Sequence, residues 1–106
     1  MSKTINVADN SRVTVMEVSQ DNITINSGSG SGAANVATIS AARSGYTPIG
    51  IVGWRFDNAS SSGGGGSSVC FPYMVFLNAS NEAEIHMRNM GSSTAKIKVT
   101  AYVLYA

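Results

Sequence analysis

Glu84-Ile85-His86-Met87-Arg88-Asn89, Met90-Gly91-Ser92-Ser93-Thr94 and Ala95-Lys96-Ile97-Lys98-Val99-Thr100-Ala101-Tyr102-Val103-Leu104-Tyr105 close the chain, and their reading decides the fold. In the first and last of these segments apolar and polar residues alternate at period two, the mark of a half-buried β-strand. Ile85 and Met87 point to one side, with Ala95, Ile97, Val99, Ala101 and Val103 on the matching face of the long segment. His86, Arg88, Lys96, Lys98 and Thr100 take the other face. The Gly and Ser residues between the segments predict a tight turn, and so a β-hairpin. A last strand of about eleven residues is long for a small domain and predicts a central scaffold strand.

Working outward, Val69-Cys70-Phe71-Pro72-Tyr73-Met74-Val75-Phe76-Leu77 is the most apolar run. Strict alternation divides it into Val69, Phe71, Tyr73, Val75 and Leu77 on one side and Cys70, Pro72, Met74 and Phe76 on the other, so neither side suits water. Asn78-Ala79-Ser80-Asn81 turns the chain into the C-terminal pair. Upstream, Ile49-Gly50-Ile51-Val52-Gly53-Trp54-Arg55-Phe56 follows Pro48, which must sit at the start or on an edge of that strand, and Gly50 and Gly53 predict a bulge or a close backbone approach. Residues 57–68, with four consecutive glycines, form a long loop of the mobile or functional kind. Asn35-Val36-Ala37-Thr38-Ile39-Ser40-Ala41-Ala42-Arg43 reads as strand because Val, Thr and Ile outweigh the alanines. Asn22-Ile23-Thr24-Ile25-Asn26 reads as a short strand of its own. Before it, Thr4-Ile5-Asn6-Val7 and Arg12-Val13-Thr14-Val15-Met16-Glu17-Val18 form a hairpin or meet at a corner. Six to eight strands without a helical period predict one domain over residues 1–106, an all-β antiparallel β-sandwich of jelly-roll-like form.

Charged residues are 12% of the chain and its net charge is +1, so solubility rests on Ser, Gly, Asn and Thr. The four arginines and three lysines are scattered, which argues against nucleic acid or an anionic membrane as partner. No apolar run reaches the length of a membrane span, and the first residues lack the core of a secretory signal peptide, which predicts cytoplasmic synthesis without membrane insertion. Cys70, the one cysteine, reads as a small buried apolar residue, and the single histidine, His86, leaves no multi-histidine zinc site and no Cys-His dyad. No Gly-x-Ser-x-Gly elbow is present, and the Gly-Ser run at residues 27–32 lacks the Gly-Lys-Ser/Thr ending of a phosphate loop. Glu82 and Glu84 share a strand face about 7 Å apart, a spacing paired carboxylates use, yet at a hairpin start they read as a solvated edge. Asn22, Asn58 and Asn78 match the glycosylation pattern and read as turn residues. The expectation is no enzyme, no cofactor and no metal.

What is left is binding. Trp54 and Arg55, with Asp57 and Asn58 at the start of the glycine-rich loop, form the candidate contact surface, because strands hold position while loops vary. The segments at residues 49–56 and 70–77 are apolar on both faces, whereas a two-layer sandwich covers one face of each sheet. Val52, Trp54, Phe56, Met74 and Phe76 are therefore expected to form an interface between copies of the chain. Physics alone argues for a closed symmetric homo-oligomer, of which the dimer is the commonest form. Two alternatives stand beside this reading. A monomeric carbohydrate-binding module would carry its aromatics exposed on one face, and a small enzyme is disfavoured by the shortage of titratable residues.

Gly45-Tyr46-Thr47-Pro48-Ile49-Gly50-Ile51-Val52-Gly53-Trp54, with Arg88-Asn89-Met90-Gly91-Ser92-Ser93-Thr94 and the strand that follows it, resembles the β-rich C-terminal domains of bacteriophage and prophage tail-fibre, baseplate-appendage and related virion proteins. The resemblance covers about residues 45–106. It implies a homotrimeric sandwich on a phage particle that contacts other virion proteins and a host-surface saccharide or protein by multivalent binding. It carries over no catalytic residue.

Overall fold

The structure, a computed structural model, describes residues 2–6, 12–28 and 33–106. Seven strands are described: β1 (Ser2–Asn6), β2 (Arg12–Ile25), β3 (Ala33–Ser40), β4 (Pro48–Asn58), β5 (Cys70–Leu77), β6 (Glu82–Asn89) and β7 (Ala95–Tyr105). One 3-10 turn, Ser67–Val69, precedes β5, and the described residues contain no α-helix. Sheet A has the order β1-β2-β7-β4 and sheet B the order β3-β6-β5, with every pairing antiparallel. The predicted all-β antiparallel sandwich is thus present, four strands on three among the described residues.

The two sheets meet through their central strands. Ala95, Ile97, Val99, Ala101, Val103 and Tyr105 of β7 and Ala83, Ile85 and Met87 of β6 are all buried, and they close the core with Val18 and Ile25 of β2, Ala37 and Ile39 of β3, and Cys70 of β5. Burial pushes the Cys70 thiol pKa up, in keeping with an inert apolar residue. Tyr105 ends β7 in the core, where its hydroxyl donates to the Ala41 carbonyl at 2.7 Å. Alternation therefore assigned the buried face of both C-terminal segments correctly.

It did not assign their pairing. β6 and β7 are not a hairpin; they lie in different sheets, and residues 90–94 arch from one layer to the other. The cause is Asn89, which is completely buried. Its carboxamide NH2 donates to the carbonyls of Ile25 (3.0 Å) and Ser93 (2.9 Å), and its oxygen accepts from the Gly91 amide (2.9 Å). The Met90 amide donates to Val69. These bonds leave a polar side chain satisfied in the core and turn the chain across the sandwich instead of back along β6.

The hairpins are β1–β2, as one of the two expectations had it, and β5–β6, closed by Asn78. Asn78 Oδ1 accepts from the amides of Ser80 and Glu82, so this glycosylation-pattern asparagine is a turn residue. The separate strand expected at Asn22 is instead the far half of β2, which continues through a break in register between Gln20 and Ile23 with Asn22 at φ 58°. The proline and glycine signals in β4 are both met: Pro48 is its first residue, β4 is an edge strand, and its register shifts at Pro48/Gly50 and Ile51/Gly53.

Candidate functional site

The four residues expected to share a contact surface do not converge. Trp54 and Asn58 pair with Ala101 and Ile97, which point into the sandwich, whereas Arg55 and Asp57 pair with Thr100 and Lys98 on the outer face of sheet A. Trp54, on the edge strand β4, is half exposed. Asn58 Oδ1 accepts from the Ser67 amide. Arg55 donates from Nε to Asp57 Oδ2 (2.8 Å) and from Nη1 to the Tyr102 hydroxyl (3.0 Å), contacts that raise its pKa further. Of the expected interface residues, Val52 is exposed at a β4 bulge, while Phe56 is partly buried against the core.

The glycine-rich loop is tied down at several points. The Ala59 and Gly65 amides donate to the Lys96 carbonyl, and the Lys96 amide donates to Gly65. The Ser60 hydroxyl donates to Asp21, and that of Ser61 to Asn22, at the β2 register break. A Cβ on Gly64 would lie 2.1 Å from the Ala59 carbonyl oxygen, while Gly65 faces open space. Gly64→Ala is therefore expected to lower stability by about 1–3 kcal/mol, and Gly65→Ala to change it by less than about 0.5 kcal/mol, in urea unfolding.

The outer face of sheet B is where side chains gather. A register shift between Pro72 and Met74 makes Tyr73 the extra residue of a bulge in β5. Cys70, Pro72, Val75 and Leu77 pair with the buried residues of β6, while Phe71, Met74 and Phe76 pair with Arg88, His86 and Glu84 on its outer side. Tyr73 joins them: its ring meets His86 edge-on at 5.9 Å, with the Arg88 guanidinium 5.2 Å from its centroid. Phe76 stacks on His86 at 6.0 Å and 18°. On the far side Val36 of β3 pairs with His86. Phe71 (54%), Tyr73 (52%), Met74 (45%), Phe76 (37%) and Val36 (52%) are all substantially exposed and concentrate apolar area on one face.

Polar order runs along β6 through this apolar field. Glu82, Glu84, His86 and Arg88 occupy successive outward positions, acidic at one end and basic at the other. His86 Nε2 lies 2.6 Å from Glu84 Oε2, and Asn78 Nδ2 donates to both Glu82 (3.0 Å) and Glu84 (3.1 Å). The hydrogen bond from His86, then that from Asn78, holds the Glu84 carboxyl below its ordinary pKa; the Ser60 hydroxyl chiefly does the same for Asp21. A carboxyl depressed in the folded state adds stability above its unfolded pKa and loses it as pH falls through the folded one. Between about pH 6 and about pH 3, the melting temperature of the protein is therefore expected to fall more than that of Glu84→Gln.

The described residues contain no cluster of three or more His, Cys, Asp or Glu able to hold a metal, and no helix among them is long and apolar enough to cross a membrane. Tyr73, His86 and Arg88 did not stand out in the sequence as one site, because only the bulge brings Tyr73 to the side of Phe71, Met74 and Phe76. Pro72 inside an apolar strand was the available signal for it. No protein-family model, curated protein or solved structure matches the chain.

Proposed function

We propose that this chain is a non-catalytic structural or adhesion module of the phage-virion type, which forms a closed homo-oligomer and acts by multivalent binding. The observation that carries the reading is the outer face of sheet B, where Val36, Phe71, Tyr73, Met74 and Phe76 lie exposed together. A two-layer sandwich has no third layer to cover such a face, and a second subunit is the simplest cover. The resemblance of about residues 45–106 to phage tail-fibre and baseplate domains supports placement on a virion, with other virion proteins and a host-surface saccharide or protein as partners. Three copies is what that resemblance implies; the residues themselves argue for closure, most commonly as a pair.

A second reading has its own support. Tyr73 and Phe76 flank His86 beside Glu84 and Arg88, so aromatic faces adjoin hydrogen-bonding groups as they would in a monomeric carbohydrate-binding module. Light scattering after size exclusion at concentrations up to ~100 µM separates the two. A mass above the 11.0 kDa of one chain is expected. A one-chain mass with glycan binding lost in Tyr73→Ala would replace the first reading by the second. Neighbouring genes for tail or capsid assembly test the virion placement.

A further inference from the structure

We propose that the outer face of sheet B binds the same face of a second copy, about a two-fold axis that lies between the sheets and crosses β6 at His86. The inference rests on the oligomeric reading above and specifies its contact. Charge order along β6 supplies the argument. With the axis parallel to the strands, Glu84 would face Glu84 and Arg88 would face Arg88, a like-charge arrangement that opposes association. With the axis across the strands, β6 runs antiparallel over β6, and Arg88 of each copy meets Glu84 of the other. Glu84 and Arg88 are thus complementary to each other across an axis at His86.

The apolar residues fit the same axis. Val36, His86 and Met74 are register partners across β3, β6 and β5, so they form one row along it. Phe71 and Phe76 pair with Arg88 and Glu84, one on each side of that row, so each meets the other across the contact. β5 therefore faces β5, and aromatic side chains cover aromatic side chains. Extension of the sheet at the β5 edge is hindered, because Pro72 lacks an amide donor and the bulge at Tyr73 interrupts the ladder. Three strands of eight residues present roughly 25 by 14 Å in projection, smaller than a standard interface, so the pair belongs to the weak, concentration-dependent class.

Facing sheets lie about 10 Å apart, so Met74→Cys should be joined to itself by a bis-maleimide of about 8 Å reach. The expected product is a species of two chains, with Cys70, which is buried, unreacted. Arg88→Glu should weaken the pair at least ~10-fold, because it sets acid against acid twice, and Glu84→Arg with Arg88→Glu should recover most of that loss. Circular dichroism checks that each variant folds, and the Met74→Cys product decides the matter if the double variant does not. A three-chain mass, an oligomer that yields no Met74–Met74 product, or a double variant no better than the single one overturns the two-fold contact and leaves the oligomeric reading standing. A one-chain mass up to ~100 µM overturns both.

Discussion

Asn89→Leu is expected to destabilise the fold by about 2–4 kcal/mol, a large effect for a substitution that leaves side-chain size nearly unchanged. Leucine strands the carbonyls of Ile25 and Ser93 and the amide of Gly91, each of which now has Asn89 as a partner. A buried polar group left without its partner costs roughly 1–3 kcal/mol; the Ile25 carbonyl bears this in full, whereas Ser93 and Gly91 lie nearer the surface, where water replaces part of what they lose. Asn89→Asp should do little better, since a carboxylate accepts from Gly91 but donates to neither carbonyl. Urea unfolding reads the result. A loss below about 1 kcal/mol would mean that other contacts hold the chain as it crosses from β6 to β7.

Phe76→Asp is expected to weaken self-association by at least ~10-fold while leaving the monomer folded. The side chain lies on the outer face of sheet B beside His86 and is already partly solvated in the single chain, so aspartate costs the fold little. In the pair its exposed third is covered once in each copy, and at about 1.5–3 kcal/mol for a whole side chain, that is worth about 0.5–1 kcal/mol per copy. Two such losses raise the dissociation constant by about 5–30-fold, before the added cost of charge beside Glu84. Lys96→Asp, on the outer face of sheet A, should shift the association far less. Sedimentation equilibrium with both variants gives the comparison.

Much of the fold was legible because its central strands alternate without a break. In β6 and β7 the period-two pattern reports burial directly, so Ile85, Met87, Ile97, Val99 and Val103 were identifiable as core. Alternation says which side of a strand is buried and nothing about which strand lies beside it. β6 and β7 would show the same pattern as neighbours in one sheet or as facing strands in two. The difference lies in one asparagine, whose bonds reach Ile25 far back in the sequence.

The site was less legible because it depends on an inserted residue. Strict alternation scatters Phe71, Tyr73, Met74 and Phe76 over two faces, and the bulge after Pro72 unites them. At Trp54 to Asn58 the same physics worked in the opposite sense: residues close in sequence belong to opposite faces of β4. The loop at residues 57–68 has a flexible composition, yet its serines and glycines are bound to β2 and β7 by hydrogen bonds between residues too distant in sequence for composition to report.

The central claim is that a second subunit covers the outer face of sheet B, and hydroxyl-radical footprinting over a range of protein concentrations tests it most directly. Phe71, Tyr73, Met74 and Phe76 are exposed in the single chain, as are Tyr46 and Trp54 elsewhere on the surface. Oxidation of the four β5 residues is predicted to fall as concentration rises through the micromolar range, while Tyr46 and Trp54 keep their rates. Equal oxidation of Met74 and Tyr73 at all concentrations, or protection of Trp54 in their place, would contradict it.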